Sequence, residues 1–411
     1  MTRAPHPRAN QDNPPAIVDL FAGPGGLDIA AEMLGVPSIG VEWETSTRAT
    51  RRAAGLRTAK IRDVAELNPL DPEVRSARVL TGGPPCQTFS VAGNREGHEA
   101  LGVVKRLALL VGQSETVEQL ESAWAVVERA ADELEWTDER TGLVLQPLRW
   151  IVEKKLKSNP YEVVVLEQVP TVLPVWKRYC EILQELGYDA DCDILRTEEY
   201  GVPQTRRRAV LIARYHGNSE GQDVEFPDVT HQRYRKGIER LPAVPESTTP
   251  ISTPQQSGLF ETPDHVDESK IQPWVSMGDA LGDSRSGDFV VVSNYGSGGD
   301  PKRRGRRTSN SPAATVTGKV RRNKVFDLKG FDADGEPELG AEQERFTFRE
   351  AGLLQTFPVN YPWQGTDIAQ QIGNAIPPLL AVHVLSTALQ LEEGRKQRAI
   401  EAFKTWRPGH S

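Results

Sequence analysis

The sequence predicts an α/β protein, a mostly parallel sheet covered by helices on both faces and joined to a smaller, loop-rich second domain. Three observations carry this expectation. Over the first 215 residues, short apolar runs alternate with amphipathic stretches, the pattern of a sheet buried on both faces. From about Tyr215 to Arg306 the composition shifts to Pro, Ser, Thr, Asp and Gly. From Leu379 to about Phe403 helical periodicity returns, which predicts a segment packing back onto the sheet domain.

Taken in order, the candidate strands are Ile17–Leu20, Ile39–Trp43, Val79–Thr81, Val163–Glu167, Ala190–Leu195 and Ala209–Ala213. Amphipathic segments such as Leu27–Leu34 and Leu148–Leu156 lie between them. Sheets of this kind bind ligands beyond the carboxyl ends of their strands, which directs attention to the loops after Leu20, Val41 and Thr81. Glu99 to Trp136 reads as two helices. In the second, Val117, Leu120, Trp124, Val127, Ala131 and Leu134 recur at 3, 4, 3, 4, 3 spacing, one apolar stripe on an acidic helix. Thr116 and Gln119 have capping-box spacing at its start. The hairpin is expected to pack against its own domain, a partner-binding surface being the alternative. Trp274, Phe289, Val290, Val291 and Tyr295 punctuate the region after Tyr215, which predicts an irregular domain rather than a linker.

Composition narrows the function classes. The 411 residues suffice for one large and one small domain, 38% are hydrophobic and 26% charged. No apolar run approaches the roughly 18 residues of a membrane span, and Met1 to Pro15 is polar and proline-rich, so membrane and secretory readings fall away. Cys86, Cys180 and Cys192 form no metal-spaced pair, and an odd count argues against a disulfide framework. A reducing, cytoplasmic interior is expected, without a metal. A net charge of −8 excludes a uniformly basic coat but not one basic face. Between Tyr295 and Gly330 ten Lys or Arg stand against two Asp. There Lys302, Arg303, Arg304, Arg306 and Arg307 sit among glycine and serine, which suits contact with a phosphate backbone.

Several residue sets could carry chemistry. Phe21, Gly23, Gly25 and Gly26 follow the first strand, where glycines let a ligand approach the backbone; the spacing is not the dinucleotide fingerprint. Glu42 could bind ribose hydroxyls, and Trp43 beside it could stack on a purine. Asp63, with Val64, could accept from an adenine amino group. In Gly82-Gly83-Pro84-Pro85-Cys86-Gln87-Thr88-Phe89-Ser90, two glycines and two prolines fix an unusual backbone around one cysteine, which reads as a presented nucleophile. Cys180 and Cys192 read as structural. Glu167 leaves a buried strand, where partial desolvation favours a carboxyl able to donate a proton. Gln204, Arg206 and Arg208 alternate, so in an extended chain they would point one way, their forked guanidinium donors suited to a carbonyl oxygen, phosphate or carboxylate.

In this order the sets resemble the cytosine-C5 DNA methyltransferase family. Asp138-Glu139-Arg140-Thr141-Gly142-Leu143 is similar to that family's fifth motif, Arg345 to Pro358 to its ninth, and Gln371 to Pro378 to its tenth. The resemblance implies a Rossmann-like S-adenosylmethionine-dependent methyltransferase sheet domain with a smaller, loop-rich target-recognition domain. It divides the chain into a flexible 1–15, a catalytic cofactor-binding domain 16–214 with a helical insertion 99–136, a target-recognition domain 215–345, a returning hinge and C-terminal segment 346–395, and a tail 396–411. It places S-adenosyl-L-methionine, leaving as S-adenosyl-L-homocysteine, against Phe21, Gly23, Gly25, Gly26, Glu42, Trp43, Asp63, Val64, Pro85, Leu143, Asn374 and Ile376. It implies Cys86, Glu167, Arg206, Arg208 and Gln204 as the catalytic set. Double-stranded DNA would meet Gln87 and Ser90 as well as Lys302, Arg303, Arg304, Arg306 and Arg307. It also implies a microbial, nucleoid-associated modification enzyme, with a cognate restriction nuclease or defence component as a partner.

This chain departs from the family in three places. Gln168 stands where the family has Asn after the strand-end Glu, the helical segment interrupts a stretch that is a short mobile loop elsewhere, and Tyr215–Arg306 aligns with nothing. The insertion suggests gating, with deletion of Leu101–Glu135 expected to spare cofactor binding and change turnover. Three alternatives stay open: the tRNA-methylating branch, disfavoured because no cysteine follows Cys192, a DNA-binding module that has lost catalysis, and an S-adenosylmethionine enzyme on a small molecule.

Overall fold

A computed structural model describes residues 14–85, 95–133, 139–242, 271–294 and 304–408, with the side chains of 95–100, 131–133 and 139–141 left out. Each of the six apolar runs contains a strand: β1 (Ile17–Leu20), β2 (Ser38–Val41), β3 (Val79–Gly82), β4 (Val163–Gln168), β5 (Tyr188–Arg196) and, after the two-residue β6 (Gln204–Thr205), β7 (Arg207–Tyr215). The sheet order is β2-β1-β3-β4-β7-β5. β2, β1, β3 and β4 run parallel, and β7 inserts antiparallel between β4 and β5. Both faces are buried, and the period of two divides each run between them. Val18, Leu20, Val164, Leu166, Ala209 and Leu211 enter one core, while Ile17, Val163, Val165, Val210 and Ile212 enter or pack against the other.

The helices of the sheet domain are α1 (Gly26–Met33), α2 (Thr45–Ala54), α3 (Arg95–Gly112), α4 (Val117–Glu133), α5 (Gln146–Leu156) and α6 (Leu173–Glu185). α3 to α6 cover the first face. The hairpin α3–α4 is part of this layer: Leu101, Val104, Leu107, Val111, Leu120, Ala123 and Val127 share one core with Leu20, Leu80 and Leu166. A Cβ on Gly112 would lie 2.3 Å from Ile182 Cγ2, so α3 meets α6 without clearance. Thr116 Oγ1 accepts from Gln119 N at 3.2 Å, and Gln119 Oε1 accepts from Glu115 N at 2.7 Å, one residue outside a strict capping box. Leu134 lies outside the described residues. Because the hairpin supplies part of this core beside α5 and α6, removing Leu101–Glu135 would open the layer on one face of the sheet, so the deletion bears on stability as well as on turnover.

The second domain has α7 (Met277–Leu281) and a four-stranded antiparallel sheet, β12-β11-β8-β9, from β8 (Phe289–Val292), β9 (Arg306–Thr308), β11 (Lys324–Phe331) and β12 (Pro337–Gln343). The short β10 (Ala313–Ala314) pairs parallel with β6, which welds this domain to the sheet domain. α8 (Phe348–Leu354) and α9 (Ile368–Asn374) straddle the seam: Ala351, Leu354 and Ile372 belong to the small core, Phe357, Tyr361 and Ile376 to the large one. α10 (Pro378–Ala388) and α11 (Glu393–Ala402) then join α1 on the second face of the sheet. Arg395 Nε donates to Leu34 O at 2.7 Å, and Arg214 caps the carbonyls of Thr387 and Ala388.

Candidate active site

Register alone assembles the site. Leu20 pairs with Val41 and with Gly82, and Gly82 pairs with Leu166, so the loops after β1, β2, β3 and β4 leave one edge side by side. Because β7 is antiparallel it begins at that edge, with Ala209 opposite Gln168. Loop after loop therefore brings its residues to one place.

The loop after β1 is tightly turned. Phe21 and Gly23 adopt left-handed backbones at φ 58° and 55°, and Gly25 at φ 105° caps α1. A Cβ on Gly26 would lie 2.2 Å from Ile376 O. Gly26 thus owes its missing side chain to the C-terminal segment, which corrects its reading as bare ligand-approach space. Tyr361 donates to Pro24 O, and Ser46 and Thr50 on α2 bond Asp367 and Gln371, so that segment brackets the loop from both sides. Glu42 is buried and divided: Oε2 accepts from Gly23 N at 2.8 Å and Oε1 from Glu44 N at 2.7 Å. Each oxygen keeps a second lone pair for a diol. Trp43 beside it is 64% exposed, a bare indole at the strand end. Arg48 Nη1 donates to Glu42 O and Ala59 O, both at 3.1 Å, drawing the segment that leads to Asp63 alongside. Asp63 Oδ1 accepts from Ala65 N at 2.8 Å, while Val64 is buried with its carbonyl on Trp150 Nε1.

Carboxyls predominate under this loop. Asp28 takes Arg51 Nη1 at 2.6 Å and Ser38 Oγ at 2.8 Å, and Arg51 is fully buried. Asp19 accepts from Thr81 Oγ1 at 2.7 Å and its other oxygen has no partner among the described residues. Burial, then the charge of Asp28, raises Asp19 well above the carboxylate range, and burial raises Glu42. The divided, buried Glu42 beside the exposed indole of Trp43 suits a ligand that carries a diol and a planar base. Sequence reading missed Arg51 and Asp28, since a buried ion pair beneath a loop has no motif of its own. Gly40, where a Cβ would strike Arg51, was the one available signal.

The loop after β3 is described as far as Pro85; Cys86, Gln87 and Ser90 lie outside the described residues. Its approach is fixed from β4. Gln168 Nε2 donates to Pro84 O, and Gln168 Oε1 accepts from Val169 N. Glu167 is 7% exposed; Arg208 Nε pairs with its Oε1, while Oε2 lies 3.4 Å from where a Gly83 Cβ would be. Burial lowers Arg208 from its ordinary range, against the pull of Glu167.

Gln204 and Arg206, expected in the catalytic set, are bonded at the seam between the two domains. Gln204 Nε2 donates to Leu354 O at 2.9 Å and to Gln355, and its Oε1 accepts from Val316 N at 3.0 Å. Arg206 donates to Val316 O at 2.9 Å and Gly373 O at 2.8 Å, wholly buried. Both brace the seam, because the backbone between β6 and β7 is pinned to Thr197 and turns only Arg208 toward Glu167. Asn374 is exposed and accepts from Gln370 Nε2 at 2.7 Å; Leu143 is half-buried in the turn Glu139–Leu145. Lys302 and Arg303 lie outside the described residues, and Arg304 is half-buried. Arg306 is exposed with Nη1 on Pro337 O at 3.0 Å. Arg307 donates to Pro312 O and Thr205 Oγ1, both at 3.1 Å, and stacks 4.6 Å over Tyr234. Both Nη atoms of Arg307 are thus bonded, and the side chain braces β9 against Thr205 and Tyr234.

A C-5 cytosine-specific DNA methylase family model matches residues 16–128 and 130–390. The chain is 26% identical to the type II methyltransferase M1.HphI of Haemophilus parahaemolyticus, over 91% of this chain and 86% of that one. It is 24% identical to M.HgiDI of Herpetosiphon aurantiacus, over 93% and 96%. The fold is similar to that of the S. pombe Dnmt2 methyltransferase, at a TM-score of 0.53 and 16% identity, covering 91% of this chain and 98% of that one. Among the described residues no helix is long and apolar enough to cross a membrane.

Proposed function

The chain belongs to the C-5 cytosine-specific DNA methylase family and is a DNA cytosine-5 methyltransferase, and from that premise we propose the residues, cofactor and partners by which it works. The observation that carries the reading is the Arg208–Glu167 pair beside a loop that Gln168 clasps at Pro84 O, two residues before Cys86.

The methyl donor is S-adenosyl-L-methionine, which supplies an electrophilic methyl group when bound. Glu42 would hold its ribose hydroxyls, Trp43 and Asp63 with Val64 its adenine, and the loop of Phe21, Gly23, Gly25 and Gly26 would lie against it. Pro85, Leu143, Asn374 and Ile376 would complete that wall. C5 of cytosine is a poor nucleophile. The Cys86 thiolate adds to C6, breaking the C5–C6 double bond and placing an electron pair at C5. Glu167 meets N3 through Oε2 and supplies the hydrogen bond or proton that disperses the developing charge, held in place by Arg208. After C5 is methylated a base takes its proton, the electron pair restores the double bond, and Cys86 departs. A stacked cytosine is out of reach, so the nucleotide must be flipped, at about a few kcal/mol.

Gln87, Ser90 and the basic stretch that includes Lys302, Arg303, Arg304 and Arg306 would meet duplex DNA. The relatives' type II names support modification of one short sequence, with a cognate nuclease or other defence component as partner. Base-resolution cytosine methylation of a methylation-free bacterial host expressing the chain tests this. A short motif methylated by the wild type and not by Cys86→Ala is expected. No methylation from soluble wild type that binds S-adenosylmethionine would overturn the reading.

A further inference from the structure

Resting on the DNA methyltransferase reading, we propose that Asn310 is a base-reading residue, its amide set to take an adenine edge in the major groove close to the target cytosine. Thr308 to Ser311 form a β-turn, closed by Ser311 N on Thr308 O at 3.0 Å, with Ser309 and Asn310 at its tip. Nearly every other group of the turn is pinned. Ser309 N donates to Phe289 O and Ser309 O accepts from Gly278 N, both at 2.8 Å, and Ser309 Oγ donates to Asp288 at 2.8 Å. Asn310 O takes the indole of the buried Trp274 at 3.2 Å, and Ser311 O takes Met277 N at 2.9 Å. What the turn leaves exposed is the Asn310 side chain, whose amide has no partner among the described residues. It stands between two hollows, one lined by Tyr234, Arg235 and Ile238, the other by Gly282, Arg285 and Ser286.

The turn is also held in register with the catalytic strand. Ala313 N donates to Pro203 O at 2.8 Å, Thr205 Oγ1 donates to Ala313 O at 3.3 Å, and Arg307 joins Thr205 to Tyr234, whose hydroxyl meets Ser311 Oγ. Arg208, which holds Glu167, lies three residues beyond Thr205. Asn310 to Ala313 and Thr205 to Arg208 are each three residues, at most about 11 Å of chain, with one strand spacing of about 4.8 Å between them, so the turn tip lies within about eight base steps of Arg208 at roughly 3.4 Å each. An amide carried on a pinned turn, its NH2 donating to N7 and its oxygen accepting from N6, matches the adenine edge, and a correct bidentate pair discriminates by about five- to a hundredfold over other bases.

The test is base-resolution methylation of a duplex library, randomised around one cytosine, by purified wild type, Asn310→Ala and Asn310→Arg. A wild-type motif that demands adenine at one position, relaxed there five- to a hundredfold in Asn310→Ala and moved toward guanine in Asn310→Arg, is the expected result. A variant profile identical at every position, or relaxed only where the wild type does not demand adenine, overturns the proposal. Should Asn310→Ala methylate nothing, its binding to the motif duplex against a scrambled duplex decides. A lowered ratio supports base reading, and an unchanged ratio contradicts it. A wild type that methylates no library member overturns the methyltransferase reading instead.

Discussion

Gln168 is where this chain departs from the family pattern next to Glu167, and the structure gives the longer amide a definite task. It reaches Pro84 O while its own oxygen folds back on Val169 N, so the added methylene is taken up within the turn. Gln168→Ala should release the loop. Losing one hydrogen bond of about 0.5–1.5 kcal/mol predicts a two- to tenfold fall in kcat, with S-adenosylmethionine affinity unchanged, measured by steady-state kinetics and titration. Arg208→Ala should cut turnover more, by roughly 10²–10⁴, because Glu167 then loses the partner on Oε1 that orients its carboxyl, and with it the Oε2 proposed to meet the base. The glycine loop carries its own check. Gly26→Ala sets a Cβ 2.2 Å from Ile376 O, an overpacking that should cost about 1–3 kcal/mol in denaturant unfolding. At this scale the sequence showed residue types but not directions. Arg206 and Arg208 look equivalent in an alternating run, yet one donates to two peptide carbonyls and the other pairs with Glu167. Only the placement of β10 and α9 separates them, and those contacts join residues more than a hundred positions apart.

Among the elements, the hairpin α3–α4 and the seam segment matter most. Leu120 lies in the same core as β3 and β4, so Leu120→Ala should destabilise the sheet domain by about 2–5 kcal/mol, seen as a lowered unfolding midpoint. An unchanged midpoint would return the hairpin to the role of a detachable surface. Arg206→Met should leave the carbonyls of Val316 and Gly373 buried without donors, a cost of about 2–6 kcal/mol at about 1–3 per group. All six strands of the large sheet were legible because a sheet buried on both faces writes itself as short apolar runs. The antiparallel insertion of β7 was not, since strand direction leaves no trace in periodicity. The strands of the small domain were harder still. β11 and β12 are two-sided and half-exposed, with Lys, Asp and Glu along them, and so lack the apolar alternation that marks a strand.

For the whole molecule, the core on the second face of the large sheet and the core of the small domain share the segment from Phe346 to Ile376. The cofactor edge and the turn that carries Asn310 are therefore parts of one bonded frame. The same seam holds buried titratable groups that set how stability varies with pH. Burial pushes Glu198 up to about 7, opposed by Arg196 and Arg233. An unfolded glutamate titrates near 4.3, so between the two values the folded chain keeps a proton the unfolded chain releases. Stability is fully present below about 4.3 and lost as pH rises through about 7. Glu198→Gln should therefore raise Tm more at pH 8 than at pH 5. The upper limit is about 3 kcal/mol. An equal effect at both values would remove Glu198 from the balance. His231, which burial pushes down to about 4, acts at the other end. Its contribution is lost as pH falls from about 6.5 toward 4, so the two groups together confine greatest stability to mildly acidic conditions.

The central claim is that Cys86 bonds C6 of a flipped cytosine and is released when C5 loses its proton. A duplex carrying 5-fluorocytosine at the methylated position has no C5 proton to lose, so the bond, once made, should persist. Wild type with S-adenosylmethionine should give a denaturation-resistant protein–DNA adduct whose cross-linked peptide contains Cys86, and Cys86→Ala should give none. No adduct from a wild type that methylates the unfluorinated duplex, or an adduct mapped to Cys180 or Cys192, would contradict the account.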